Sequence, residues 1–303
     1  MGLSLLFGSV PGPWLTLAFP AAAVFALYDR RPLPRIAAAL VLVALGALML
    51  PSAAGALLFG VALAAVGTAG LAVGRLGIPA TLGGLALPVL GGAAAAIGLA
   101  AALLPEAWAA WEAALEQAVT RGAGQALDRY RAFGMDPATI EALEGIAAGA
   151  GAWVGRIWPA LVAGTLWLGI WLAHRLLARW GRVAPAVEER LERQPFARFR
   201  LPDPAVWLLL GGLGALWLPG AVFERAGINV VILLGLLYAL TGLAIMGWWL
   251  EQRGLGPWAR VLLPAVFVLF VPPAALVGWT LIGLADVWLG LRERSEADAA
   301  PES

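Results

Sequence analysis

Long apolar stretches, each closed by a short cluster of charge, occupy most of this sequence. Residues 36–74, 76–104, 204–223 and 261–285 contain no Asp, Glu, Lys or Arg. A helix rises about 1.5 Å per residue, so roughly 20 such residues cross a hydrocarbon layer about 30 Å thick. Within that layer a chain must satisfy its own backbone hydrogen bonds, which a helix does inside a single segment. The pattern predicts an all-α fold: a polytopic integral membrane bundle of about eight transmembrane helices, with 1–303 forming one membrane domain.

Four spans fall in 1–104. The first, 3–27, ends at the arginine-bearing loop 28–35. Its start, "MGLSLLFGSVPG", lacks the basic region of a signal peptide, so it is read as a retained span. The run 36–74 exceeds one crossing and divides at Pro51-Ser52 into 36–50 and 53–73. Residues 76–104 follow, with Pro79, Pro88 and the pairs Gly83/Gly84 and Gly91/Gly92 as places to bend or break. Four more spans fall in 154–285, at 154–173, 204–222, 228–250 and 261–285, and a polar tail covers 286–303.

Residues 105–147 follow a different rule. Trp108, Trp111, Leu115, Val119, Gly122 and Tyr130 recur at helical spacing, with Glu106, Glu112 and Glu116 off that stripe. This predicts an amphipathic, extracytoplasmic segment lying at the membrane interface. Within it, Asp136 and Pro137 mark a helix start, as N-cap and first helical residue.

Composition supports the class. Hydrophobic residues make up 61% and charged residues 13% of the 303 positions, and the mean hydropathy is +0.85. The exterior of a soluble domain needs more charge than that. All 20 basic residues are arginine, and cysteine is absent, which excludes disulfides and thiolate metal sites.

Arginine placement sets the expected orientation. The loops at 28–35, 75, 174–203 and 251–260 hold 13 arginines and the opposite side seven, so the first group is expected in the cytoplasm and both termini outside. A bacterial inner membrane is the expected location. Residues 174–203, with seven arginines and four acids, read as a positive-inside loop. Glu188, Glu189, Glu192 and Asp203 dilute the basic patch, so nucleic acid is not an expected partner.

Catalytic patterns fail one by one. "EERLER" at 188–193 and "FARFR" at 196–200 match elements of intramembrane prenyl-protein proteases. Those enzymes need buried glutamates and a nearby histidine, whereas this loop is charged and His174, the sole histidine, reads as an interfacial residue at a helix end. The Gly211–Gly214 cluster lacks the acidic partner of a dinucleotide site, no lysine exists for a P-loop, and no serine sits in a nucleophile elbow. The expectation is a protein that is not an enzyme and takes no cofactor or metal.

Polar residues within apolar runs supply the candidate ligand-binding set: Arg156, Asn229, Tyr238, Thr241 and Asp286. Such groups in a membrane face a cavity or a partner more often than lipid. Tyr238 and Thr241 lie three apart on one helix face, with Gly242 beside them.

The second half, roughly 190–294, resembles the YybS-like family of bacterial multispanning membrane proteins, a group of unknown function. The resemblance rests on "PFARFRLPDPAVW", "NVVILLGLLYALTGLAI" and "GLADVWLGLRER"; Thr241 stands where a glutamine is expected. More remotely, that family resembles the substrate-binding S components of energy-coupling-factor transporters, which require a coupling subunit and ATPases. The resemblance implies a transporter-like protein that binds or translocates a small solute in the lipid bilayer, with a coupling subunit as partner. The alternative is a membrane scaffold or assembly factor whose loop 174–203 docks a cytoplasmic protein.

Overall fold

A computed structural model describes residues 13–29, 31–49, 53–76, 78, 83–180 and 196–292. Among them every extended element is a helix: α1 (Pro13–Tyr28), α2 (Pro32–Met49), α3 (Ala53–Gly74), α4 (Ala86–Leu103), α5 (Pro105–Ala132), α6 (Pro137–Arg179), α7 (Ala205–Ala215), α8 (Ala221–Gln252), α9 (Pro257–Phe270) and α10 (Pro272–Leu289). A 3-10 turn spans Phe196–Arg198. The division at Pro51-Ser52, the Glu-rich stretch 188–193 and the tail beyond Arg292 lie outside the described residues. Four helices, α3, α4, α6 and α8, are long and apolar enough to cross a membrane by length and composition, and shorter apolar helices accompany them.

Proline punctuates this chain. α1, α2, α5, α6, α9 and α10 all begin at a proline, the position where its missing N–H removes no helical bond. The same property breaks the expected span 261–285. Val271, disfavoured in the helical region by the proline that follows, has φ −141° and ψ 58° and separates α9 from α10. Residues 204–222 likewise yield only the 11-residue α7, about 16 Å long. Gly220, at φ +122°, then starts α8 well before residue 228. The resulting helix of 32 residues takes Glu224 and Arg225 into its opening turns.

The chain divides into two compact units, one containing residues 13–78 and 88–180, the other 83–87 and 196–292. In the first, α1 packs on α2 and α6, and α5 pairs with α6. α6 is continuous over 43 residues, about 65 Å, so it joins the expected interfacial segment to the expected fifth span as one rod. Its start follows the capping rule, because Asp136 Oδ2 accepts the Thr139 N–H at 3.2 Å. Gly134, at φ +75°, makes the turn before it.

The amphipathic stripe of α5 finds its partner in α6. Trp158 lies 5.1 Å from Trp108 and 5.6 Å from Trp111, ring centre to ring centre. Further along, Gly151 sits against Glu116 and Thr120, and near the turn Arg131 pairs with Glu144. As α5 numbers rise the α6 numbers fall, so the two form an antiparallel hairpin. A stripe expected at the membrane interface is thus largely covered by protein.

In the second unit α8 packs on α10, on α7 and on the 3-10 turn. Gly242 of α8 meets the Trp279 backbone, while Gly283 of α10 meets the Tyr238 carbonyl. These pairings run in opposite order, so the helices are antiparallel. Ala239, Ala275 and Trp279 form a buried cluster there, flanked by Leu243 and Met246.

Candidate functional site

The three sequence segments that carry the family resemblance meet in the second unit. Asp286 stands in the last turn of α10 and is 3% exposed. Its Oδ2 accepts from Arg292 Nη2 at 2.9 Å, and its Oδ1 accepts the Leu291 N–H at 2.9 Å. Between them Gly290 adopts the left-handed conformation, φ 55° and ψ 47°, a backbone state that costs a side-chain-bearing residue energy and glycine almost none. That turn brings Arg292 back over Asp286.

The other guanidinium nitrogen, Nη1, donates to the Ala197 carbonyl at 3.0 Å and the Phe199 carbonyl at 3.1 Å. Arg292 therefore ties the end of α10 to the 3-10 turn. Gly83 packs beneath the Arg200 carbonyl on the same strip of backbone, leaving no room for a Cβ.

Two polar side chains of α8 are withdrawn from the surface. Tyr238 is 0% and Thr241 2% exposed. Thr241 Oγ1 donates to the Leu237 carbonyl at 3.1 Å, within its own helix. Tyr238 Oη is buried and has no hydrogen-bond partner among the described residues, a state that costs about 1–3 kcal/mol. Thr280 Oγ1 lies 2.8 Å from the Leu276 carbonyl and 3.2 Å from that of Gly235, so it bridges the two helices.

The five sequence-predicted residues thus separate. Tyr238, Thr241 and Asp286 belong to the α8–α10 pair. Asn229 lies earlier on α8, about 13 Å from Tyr238 along the axis, and its Nδ2 donates to the Arg225 carbonyl at 2.8 Å. Arg156 is exposed on α6, in the other unit. The Tyr238/Thr241 face does point into protein.

Two residues were missed. Arg292, assigned to a polar tail, is the partner of Asp286; the signal was a carboxylate and a cation six apart across a glycine. His174 is buried in α6, 2% exposed, not interfacial. Its periodicity would have shown this, since Ile170, Ala173 and Leu177 on the same stripe are also buried. Its Nδ1 lies 2.8 Å from the Ile170 carbonyl, and its ring centre is 5.2 Å from that of Tyr28.

A shallow groove on α5 in the first unit, about 560 Å³, is lined by Ala113, Glu116, Gln117, Thr120 and Arg121. It contains none of the predicted residues. Among the described residues no group of His, Asp and Glu is arranged to hold a metal ion.

The model of a family described as "Predicted membrane protein (DUF2232)" matches residues 2–287. No curated protein and no solved structure matches the chain.

Proposed function

The chain belongs to the DUF2232 family of predicted membrane proteins, and from this premise we propose that it is a transporter-like, multi-pass protein of a bacterial inner membrane that binds or translocates a small solute. The observation that carries this reading is the buried Asp286–Arg292 pair at the end of α10, with side chains 4% and 12% exposed. Ionisable groups enclosed within a membrane protein mark solute or ion paths more often than they serve stability, because their desolvation is costly. The partnerless Tyr238 hydroxyl on the neighbouring α8 supplies a free hydrogen-bonding group in the same unit. Likeness of the C-terminal half to the YybS-like family, and more remotely to S components, supports a solute-binding subunit without catalysis of its own.

The test is mass spectrometry of small molecules that co-purify with the protein, compared with a Tyr238→Phe, Thr241→Val double variant. Side-chain volume is nearly unchanged while hydrogen-bonding capacity falls, at roughly 0.5–1.5 kcal/mol per bond. A solute retained by the parent and depleted about tenfold in the variant supports the reading. Equal retention in both, or none in either, overturns it.

A membrane scaffold is the second reading, and the α5–α6 hairpin favours it. α6 is about twice as long as a hydrocarbon layer is thick, so one end of the hairpin stands clear of lipid. Its tip presents Phe133, 85% exposed. Expressed alone as bait, the parent chain would then retain a protein partner that is lost in a Phe133→Asp variant.

A further inference from the structure

His174 is the chain's single histidine, and it is buried in the first unit without a role in the site above. The Ile170 carbonyl can only accept a hydrogen bond, so the 2.8 Å contact fixes the ring proton on Nδ1. Nε2 is then a bare lone pair. It is buried and has no partner among the described residues. A backbone-oriented imidazole with an open, unprotonated nitrogen is the arrangement by which proteins present a proton acceptor.

The surroundings restrict what can serve that nitrogen. On α1, the Tyr28 ring lies against the imidazole, but its hydroxyl points to the Gly70 carbonyl at 3.4 Å. Asp29, next in the chain, is 2% exposed, and its Oδ1 accepts the Arg31 N–H at 3.0 Å. Arg35 of α2 donates to the Ala26 carbonyl at 3.1 Å. α3 contributes no titratable residue between Ala53 and Gly74, and Arg75 beyond it is exposed. On α6 itself Arg175 is exposed and stacks over Trp171 at 5.4 Å, and Arg179 is exposed. One buried carboxylate, Asp29, is the acid nearest in sequence to the Tyr28 ring that covers the imidazole.

We propose that His174 is a proton-binding site, with Nε2 as the atom that takes the proton. Proton binding there gives the transporter-like reading a coupling ion. The site itself does not depend on that reading.

Because one histidine is present, ¹⁵N-histidine labelling yields one pair of ring signals. The labelled full chain in lipid nanodiscs is titrated with acid and back, while circular dichroism follows helix content. The expected result is reversible movement of the Nε2 signal from that of a bare nitrogen to that of a protonated one, with helix content unchanged. An Nε2 that stays unprotonated until the helices unfold overturns the proposal. A failed solute test alongside a reversible titration would remove transport and leave the proton site standing.

Discussion

Arg292 closes over Asp286 at 2.9 Å, six residues downstream, and uses its remaining donor on two carbonyls more than ninety residues upstream. One guanidinium thus joins the end of α10 to the turn that leads into α7. Arginine suits this because its planar fork serves a carboxylate and backbone oxygens at once, which a lysine ammonium cannot do in the same geometry.

Removing one partner strands the other. Asp286→Ala should destabilise the protein by about 3–5 kcal/mol, because the Arg292 charge remains enclosed without its counter-ion. Arg292→Ala should cost a similar amount. The Asp286→Ala, Arg292→Ala double variant should lose clearly less than the sum. Denaturant unfolding in detergent measures all three, and strictly additive losses would show that the pair is uncoupled.

Glycines on α8 should divide sharply. A Cβ at Gly242 would collide with the Trp279 backbone, whereas one at Gly247 meets nothing within 4 Å. Gly242→Ala should therefore destabilise by about 1–3 kcal/mol. Gly247→Ala should stabilise by up to about 1 kcal/mol through helix propensity. Equal thermal shifts for the two variants would contradict the α8–α10 crossing.

The hairpin depends on its tryptophans. Trp111 is 4% and Trp158 2% exposed, so a Trp108→Ala, Trp111→Ala variant opens a cavity along α6. Limited proteolysis should cut within 105–136 at least tenfold faster than in the parent. Unchanged protection would mean that α5 is held by other contacts.

Orientation can be read with single cysteines, since the chain has none. A membrane-impermeant thiol reagent on intact cells should label a cysteine placed at Ala142 and spare one at Ala197. The Arg292 contact at Ala197 uses only the backbone carbonyl, so that substitution leaves the clamp in place. The reverse labelling would invert the arginine-derived topology.

Much of the architecture was legible along the chain. Apolar runs free of charge identify membrane helices because lipid penalises every unpaired polar group, wherever it lies in the fold. The Asp136 cap and the helix start at Pro137 were readable for a similar reason, since capping acts within one turn. Helix ends were less so. Val271 looks like any span residue until the paired prolines behind it are allowed to break the helix, and charge at Glu224 and Arg225 does not prevent α8 from starting early.

By itself the sequence determined a helical membrane protein and the amphipathic character of α5, because each follows from short-range periodicity in a uniform apolar solvent. Only the tertiary structure decided that the α5 stripe meets α6, that Arg292 reaches Asp286 and Phe199, and that the His174 ring lies against Tyr28. Those relations join positions that lie on different helices or across a turn. A hydropathy pattern records whether a side chain avoids water, but it is the same whether lipid or another helix provides the shelter.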